Sequence, residues 1–368
     1  MNIKNLLLFI LSMLSITSCI KDEPLNMEAD IINMKVEDGA FITRAITEHT
    51  VQLFVSDNAD YSHLTPIIEV TAGATIEPKS GTSQDFSNGK NVIYTVTSED
   101  GKYTKTYTVT VTSKISLKNT FEEWTTAGTE KAPYPILSDL LWSNANSGLS
   151  ILVGTGSLIL DHYPTDKTTD CVNGKYAAIL RTIKGTKVFG IDYPIFSGSL
   201  FRGAFSANMS NPLKSLILGQ AHPKENGKPI MFNGYYKYTP GDIFTGKDGK
   251  VIANKTDSLS MYATIFKVSK GAPANEEFLD GESILTSPRV VGTAKWSHTD
   301  KSIVETPASN GFIQFSIPFR YKEELDFTKN DYRLTIVLAS SKDGNEYQGA
   351  VGSTLIADDL ELVCDPIK

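Results

Sequence analysis

Hydrophobic and polar residues alternate along several stretches of this chain with a period of two. In the clearest stretch, 103–112, Tyr107, Val109 and Val111 alternate with threonines. One apolar and one polar face are typical of a half-buried antiparallel strand. Residues 92–96 predict a second strand, and Asp100-Gly101 supplies the turn of a hairpin between the two. The pattern over residues 29–113 therefore predicts a small β-sandwich.

The second part of the chain, residues 116–368, has the same texture of short strands and turns. It shows no long helical periodicity, and only residues 276–279 could form one helical turn. A long series of strands without helices predicts a two-sheet jelly roll, so the predicted fold class is all-β. The predicted strands of this part are Ala177–Ile183, Ser215–Leu218, Ile230–Tyr238, Ser258–Val268, Gly311–Phe319, Tyr332–Ala339 and Ser353–Leu362.

The N-terminus carries the pattern of a targeting signal. Lys4 precedes an apolar run at 6–16, which is shorter than the about 20 residues that a membrane-spanning helix needs. The following Ile-Thr-Ser-Cys at 16–19 resembles the lipobox of bacterial lipoproteins. The resemblance implies a signal peptide at 1–18 and acylation of Cys19, which would anchor the protein to a membrane. An ordinary secretory signal is the alternative.

The residues after Cys19 predict where the protein is displayed. Ile-Lys-Asp-Glu at 20–23 resembles the export signal of Bacteroidetes lipoproteins, a lysine followed by acidic residues. The resemblance implies an outer-membrane lipoprotein exposed at the cell surface, with residues 19–28 as its tether. A solvated polar tether without a signal is the alternative.

The composition excludes two classes of protein. Hydrophobic residues make up 40% of the 368 residues, which is enough to build cores and argues against wholesale disorder. With 35 basic and 42 acidic residues, the net charge of −7 offers no basic excess for a phosphate backbone, so no nucleic-acid partner is expected.

The cysteine count of three is too low for a disulfide-dense scaffold or a multi-cysteine zinc site. If Cys19 is acylated, Cys171 and Cys364 remain. They predict either a disulfide between a loop and the C-terminal strand or two free thiols, because an oxidising envelope permits both.

Four segments of the first domain resemble a known family. Residues 73–78, 85–87, 94–101 and 107–111 match the small immunoglobulin-like domain that is common at the N-terminus of Bacteroidetes surface lipoproteins. The resemblance implies that residues 29–113 form an immunoglobulin-like β-sandwich, a spacer that lifts the distal domain off the membrane.

Four segments of the second domain resemble another family. Residues 119–124, 141–146, 232–241 and 352–362 match the putative carbohydrate metabolism domain family of Bacteroidetes lipoproteins. The resemblance implies that residues 116–368 form a β-jelly-roll related to carbohydrate-binding modules, and it links the chain to the use of glycans.

The same resemblance implies a structural calcium ion. In many jelly-roll carbohydrate modules, acidic residues after the first strand and on the last strand hold Ca²⁺, and the matching residues are Glu122, Asp358 and Asp359. Backbone carbonyls would complete the ligands that Ca²⁺ requires. Adjacent carboxylates on a strand point to opposite faces, so Asp358 and Asp359 can share a site only if the strand is distorted. Solvated edge carboxylates are the alternative.

Aromatic side chains are the candidates for sugar binding, because sugars stack their C–H surfaces on flat rings. In the stretch 235–238, alternation places Tyr236 and Tyr238 on one face and Tyr235 on the other, so Tyr235 is the preferred exposed platform if the first face is core. Trp142 and Trp296 stand in loop-like surroundings. The candidate carbohydrate-binding residues are therefore Tyr235, Tyr236, Tyr238, Trp142 and Trp296.

Three functional hypotheses follow. The first is a non-catalytic surface protein whose partner is a glycan or polysaccharide, with outer-membrane uptake or surface proteins as possible neighbours. The second is a glycoside hydrolase that uses a pair of carboxylates. The third is a structural or adhesive surface protein. No catalytic residue is assigned, since the sequence contains neither a His-Glu-x-x-His helix nor a Gly-x-Ser-x-Gly turn.

Overall fold

The computed structural model describes residues 25–37, 41–46, 49–55, 59–112, 117–188, 190–208 and 211–365. Strands dominate this part of the chain, so the all-β prediction is confirmed. The predicted signal peptide, Cys19 and residues 20–24 of the predicted tether lie outside the described residues. Within the described ranges, no helix has the length and apolar character to cross a membrane.

The first part of the chain folds into two sheets that share a core. Its strands are β1 (Ile31–Val36), β2 (Phe41–Ile46), β3 (Thr50–Val55), β4 (Pro66–Val70), β5 (Thr75–Glu77), β6 (Val92–Thr97) and β7 (Thr104–Thr112). The larger sheet has the order β2-β3-β7-β6-β5, and β1 pairs with β4. Leu53 and Tyr107 of the larger sheet share a buried cluster with Met34 of the smaller one. Two sheets over one core agree with the predicted sandwich.

The second part contains many more strands. They are β8 (Lys118–Asn119), β9 (Trp124–Thr129), β10 (Ala132–Leu137), β11 (Trp142–Asn144), β12 (Thr165–Thr168), β13 (Ala177–Lys184), β14 (Lys187–Val188), β15 (Ile191–Asp192), β16 (Ile195–Ser197), β17 (Ser199–Phe205), β18 (Leu216–Leu218), β19 (Gln220–Ala221), β20 (Lys228–Thr239), β21 (Phe244–Thr245), β22 (Ser260–Ser269), β23 (Val290–Lys295), β24 (Val304–Pro307), β25 (Ile313–Pro318), β26 (Arg320–Tyr321), β27 (Asn330–Ala339), β28 (Gly349–Ala350) and β29 (Thr354–Asp365).

Most of these strands build two eight-stranded sheets, and the others pair as β9 with β10, β14 with β15 and β21 with β28. Sheet I has the order β11-β17-β27-β22-β23-β26, and in addition β18 pairs with β17 and β19 pairs with β27. Sheet II has the order β12-β13-β29-β20-β25-β24, and in addition β16 pairs with β13 and β8 pairs with β29. Leu334 and Ile336 of sheet I lie in one buried cluster with Phe232 and Phe315 of sheet II. This layered arrangement is the sandwich that the strand pattern predicts.

One helix corrects the prediction that at most one helical turn would form. The helix α1 spans Asn146–Gly154, and short 3-10 turns lie at Ser87–Gly89, Pro212–Ser215, Lys224–Asn226, Ala274–Glu276, Ser309–Gly311 and Gly344–Glu346. A helix this short is not stable alone. Tertiary contacts hold it: Leu149 is buried, and Asn146 Nδ2 donates to the carbonyl of Thr165 at 2.7 Å.

A bulge interrupts the pairing of the two longest strands of sheet II. Tyr235 lies opposite Asp358, but Asn233 lies opposite Glu361, so β29 has one residue more than β20 between these pairs. Asp359 takes up the distortion with a left-handed backbone, at a φ of +44°. Bulges change the direction of the side chains next to them, and here the affected residues are two of the predicted calcium ligands.

Candidate functional site

Trp296 is the predicted tryptophan that keeps a solvent-facing surface. It directly follows β23, and its backbone N–H donates to the carbonyl of Met261 at 2.8 Å, which extends the pairing of sheet I by one residue. The indole is half-buried, and it packs against the core between the two sheets. The exposed His298 ring lies 6.2 Å from it. The ring is thus held in place on one side and accessible on the other.

Glu305 connects Trp296 to sheet II. It lies on the exposed edge strand β24, and its Oε1 accepts hydrogen bonds from Trp296 Nε1 at 2.8 Å and from the Tyr236 hydroxyl at 2.7 Å. Among the residues that the structure describes, both hydrogen bonds of this carboxylate go to Oε1, so Oε2 is available to another donor. We call these three residues the Trp–Glu–Tyr site.

Tyr236 contributes a hydroxyl from the core. Its ring is buried, 6.2 Å from the Trp296 ring and inclined to it by 75°. Burial, followed by the hydrogen bond to Glu305, raises the pKa of the phenol, so the hydroxyl stays protonated and donates at neutral pH. Two donors from two different sheets therefore fix the Glu305 carboxylate at the rim of the core.

The other predicted aromatics divide between core and surface. Trp142 is buried, with a relative exposure of 6%, and it packs edge-to-face on Phe121 with centroids 5.5 Å apart, so its assignment to sugar binding is wrong. It lies on strand β11, not in a loop. Tyr238 packs against the core beside Tyr236, and its hydroxyl donates to the carbonyl of Ser340 at 3.1 Å. Tyr235 lies on the opposite face of β20, half-buried in another cluster.

Sequence reasoning missed Glu305. The residue belongs to Val-Glu-Thr-Pro, an edge strand whose residues are all exposed. Nothing in that tetrapeptide distinguishes a positioned carboxylate from a solvated one. The signal lies in its partners, Trp296 and Tyr236, which reach it from different sheets. Such a long-range contact cannot be read from local spacing.

Glu122, the first predicted calcium ligand, binds the loop that precedes β13. Its two oxygens lie 3.0 Å from the backbone nitrogen of Lys175, and Oε2 also accepts from the N–H of Tyr176 at 3.2 Å. Gly174 comes so close that a Cβ at this position would lie 1.9 Å from Oε1. The preceding Phe121 has a φ of +55°, a strained conformation for a bulky residue. The loop and the carboxylate are therefore closely fitted.

Asp358 and Asp359, the other two predicted ligands, bind the same loop. The buried Asp358 accepts from the N–H of Val172 at 2.7 Å, and Asp359 accepts from the side-chain amide of Asn173 at 2.6 Å. The bulge at Asp359 supplies the distortion that lets adjacent carboxylates reach one segment. We call the group formed by Glu122, Asp358 and Asp359 the acidic clasp.

The partners of the acidic clasp differ from the ligands of a calcium site. Ca²⁺ takes about 6–8 oxygen ligands at about 2.3–2.6 Å. Here the carboxylates accept N–H donors of the loop, and the described part of the chain contains no group of three or more His, Cys, Asp or Glu side chains that could hold a metal ion. The N–H partners of these carboxylates favour a clasp that holds without a metal, and calcium binding stays a prediction.

Removing divalent cations is expected to leave the thermal stability unchanged. The N–H donors of the loop already compensate the carboxylates, so no ion is needed for that purpose. Thermal unfolding in saturating EDTA, followed by tryptophan fluorescence, should give the same Tm as unfolding without it. A Tm that rises by several degrees in millimolar CaCl₂ would contradict the metal-free clasp and support the predicted calcium site.

Asp358 is expected to give the clasp a measurable pH dependence. Burial, the largest influence on this carboxyl, raises its pKa above the ordinary value of 3.8. The folded protein then holds the proton more tightly than the unfolded one, so the contribution of Asp358 to the free energy of unfolding falls as pH rises through the folded pKa. Urea unfolding across acidic and neutral pH should therefore show the wild type gaining stability, relative to Asp358→Asn, as the pH is lowered. A difference that is flat with pH, or of opposite sign, would rule this out.

The two described cysteines are free thiols, so the alternative of a disulfide is contradicted. Cys171 lies in the clasp loop, and Cys364 lies near the end of β29. Burial and the nearby carboxylates, Asp358 first, raise the pKa of the Cys171 thiol, while burial raises that of Cys364 to about 11. Both thiols stay protonated at neutral pH, which is not the state of a thiolate nucleophile.

Two sequence families match the two parts of the chain. Residues 117–363 match the family described as "Putative carbohydrate metabolism domain", and residues 31–111 match the family described as "SGBP, N-terminal". The first match covers more than half of the chain. Among curated proteins, no relative matches the sequence significantly.

Two solved structures from Bacteroides are similar to the chain. One, from Bacteroides thetaiotaomicron and described as "a putative glycoside hydrolase", is 33% identical with a TM-score of 0.74, over 94% of this chain and 99% of that one. The other, from Bacteroides vulgatus and described in the same words, is 28% identical with a TM-score of 0.54, over 67% of this chain and 98% of that one.

Proposed function

Because the chain belongs to the family described as "Putative carbohydrate metabolism domain", we propose that it binds a glycan at the Trp–Glu–Tyr site and does not cleave it. The observation that carries the proposal is the pairing of an accessible indole with a carboxylate that is held in place. An aromatic face attracts the C–H surface of a sugar ring, and an ionised carboxylate accepts hydrogen bonds from its hydroxyls.

The internal hydrogen bonds of the site support this role. Trp296 and Tyr236 both donate to Oε1 of Glu305, so the carboxylate does not need to be ordered when a sugar arrives. A group that is already in position costs less conformational entropy on binding. Oε2 then accepts a sugar hydroxyl while the sugar ring lies on the exposed side of the indole.

We propose that this site lies outside the cell. Residues 31–111 match the N-terminal domain of surface glycan-binding proteins, and such proteins act at the cell surface. A lipid on Cys19 would anchor the chain in the outer membrane, with residues 19–28 as the tether. Other outer-membrane uptake or surface proteins would then be its neighbours. Mass spectrometry of the membrane-extracted protein tests the anchor, since acylation adds the mass of the acyl chains at Cys19.

Glycoside hydrolysis is the second candidate, because the two solved structures named above are each described as "a putative glycoside hydrolase". A glycosidase needs two carboxylates about 5–5.5 Å or about 6.5–9.5 Å apart. The acidic residue that precedes Glu305 in the chain is Asp300, and Arg320 Nη2 lies 3.0 Å from each of its oxygens. Asp300 is therefore held in an ion pair with Arg320, and we assign no second carboxylate to the site.

Affinity electrophoresis distinguishes the candidates. The protein without residues 1–19 would be run through gels that contain laminarin, xylan, pullulan, α-mannan, pectin or chondroitin sulfate. We expect retardation in at least one gel and no release of reducing sugar from that polysaccharide. A folded protein that is retarded in none of them contradicts glycan binding. Reducing sugar that disappears with Glu305→Gln would establish the hydrolase instead.

A further inference from the structure

Three aromatic rings form a second group away from the Trp–Glu–Tyr site. Tyr193 and Phe196 lie side by side, with centroids 6.1 Å apart and planes inclined by 30°. Tyr347 stands across both of them, 4.6 Å from Tyr193 at 65° and 6.4 Å from Phe196 at 78°. The rings therefore form a corner, in which Tyr193 and Phe196 make the floor and Tyr347 makes the wall. We call it the aromatic corner.

Packing of the core does not explain the aromatic corner. Each of its rings is half-buried, and none of them belongs to any of the hydrophobic clusters of the described residues. Tyr347 also has a φ of +58°, in the left-handed region that a tyrosine rarely adopts. Such strain costs about 1–3 kcal/mol and is often found where a side chain serves binding.

The base of the aromatic corner is rigid. Tyr347 follows the 3-10 turn Gly344–Glu346, and a Cβ on Gly344 would lie 2.4 Å from the Cβ of Ser197, so the turn lies directly on β16. Ser197 Oγ is hydrogen-bonded to Ser340 Oγ at 3.1 Å, and Ser340 Oγ to Thr182 Oγ1 at 2.8 Å. A polar network therefore supports the rings from below, as expected for a preorganised site.

The aromatic corner lies at the same end of the sandwich as Trp296. Phe196 lies on β16, and two residues separate it from β17. The first residue of β17 pairs with Ala339 at the end of β27, and Ala339 also pairs with the first residue of β22. The next strand, β23, ends just before Trp296. The strands β17 and β23, which lead to the two groups of rings, lie three strand spacings apart in sheet I, or roughly 14 Å. A polymer of a few sugar units can cross this distance.

We propose that the aromatic corner is a second sugar-binding site, and that one polysaccharide chain occupies it together with the Trp–Glu–Tyr site. The ligand class follows from the chemistry: ring faces suit C–H surfaces, and the polar residues Asn345 and Gln348 stand close to Tyr347 in the sequence. The inference rests on the proposed function. Its consequence is avidity, because the second contact forms at high effective concentration once the first has formed.

The test uses variants that remove one ring each. Tyr193→Ala removes part of the floor. Tyr347→Gly removes the wall and also suits the left-handed backbone, so it should fold even if an alanine there did not. Tyr103→Ala, an exposed tyrosine of the first domain at 53% exposure, is the matched control. Dissociation constants would come from affinity electrophoresis in the polysaccharide that retards the wild type, with thermal unfolding as the folding check.

We expect Tyr193→Ala and Tyr347→Gly each to bind that polysaccharide about five- to twentyfold more weakly, while Tyr103→Ala matches the wild type. Trp296→Ala combined with Tyr193→Ala should abolish retardation. Variants of the aromatic corner that stay within about twofold of the wild type, while Trp296→Ala weakens binding, overturn the second site and leave the proposed function standing. A wild type that is retarded in none of the six polysaccharides overturns both.

Discussion

Replacing Trp296 by alanine is expected to weaken polysaccharide binding by at least about tenfold, which corresponds to about 1.4 kcal/mol. The substitution removes the ring on which the sugar stacks. It also removes one of the two donors to Glu305, whose position then depends on Tyr236 alone. The measurement is the dissociation constant in the polysaccharide that retards the wild type. Tyr103→Ala is the control for the loss of an exposed aromatic ring.

Glu305→Gln tests the other half of the same prediction. Glutamine keeps the size of the side chain and one acceptor oxygen but loses the charge. Hydrogen bonds to a charged group contribute about 1.5–3 kcal/mol, so we expect a loss of affinity of about ten- to a hundredfold. Glu324→Gln, which changes a carboxylate that is 83% exposed and paired with Lys228, is the matched control. Equal affinity in the two glutamine variants would exclude Glu305 from the site.

Replacing Asp257 by alanine is expected to destabilise the second domain strongly. The buried Asp257 carboxylate accepts at Oδ2 from Ser341 Oγ (2.5 Å), Ser353 Oγ (2.7 Å) and the N–H of Ala350 (2.8 Å). The alanine variant leaves these buried donors without an acceptor, and each unsatisfied group costs about 1–3 kcal/mol. Since hydroxyls can rotate toward other partners, we expect a total loss of about 3–5 kcal/mol.

Urea unfolding followed by tryptophan fluorescence measures this loss. The three tryptophans, at positions 124, 142 and 296, all lie in the second domain and report on it. Asp343→Ala is the control, because Asp343 forms a partly exposed ion pair with Lys255 at 2.9 Å and should contribute less than about 1 kcal/mol. If the two alanine variants lose equal stability, Asp257 is not the central acceptor of this network.

The sequence predicted those parts of the fold that depend on local alternation. In β7, Tyr107 and Val109 are buried as the period of two requires. In β20, Tyr236 faces the core and Tyr235 the opposite side. These assignments succeed because each depends only on the pleat of one strand and on which of its faces is apolar.

The failures involve side-chain contacts between different strands. Trp142 is followed by Ser143 and Asn144, a polar stretch that indicates a loop, but Asn144 is buried because its Nδ2 donates to the carbonyl of Pro135 at 3.2 Å. Hydrogen bonding thus lets polar residues line a buried strand. The sequence did not predict Glu305 for a related reason: its two donors, Trp296 and Tyr236, do not lie on its own strand.

The acidic clasp shows which features of a site a residue pattern can predict and which it cannot. The pattern singled out Glu122, Asp358 and Asp359, and in the structure these three carboxylates bind one loop. It could not predict that the groups next to the carboxylates would be backbone N–H donors of one loop, because those donors depend on the path of residues 172–176. The residues of a site can therefore be predicted where its ligand cannot.

The most direct test of the account is a crystal structure of the protein with an oligosaccharide of the polysaccharide that retards it. We predict a sugar ring stacked on the exposed side of the Trp296 indole, with a hydroxyl within hydrogen-bond distance of Glu305 Oε2. An oligosaccharide that is bound elsewhere, with Trp296 and Glu305 untouched, would contradict the central claim that these two residues receive the glycan.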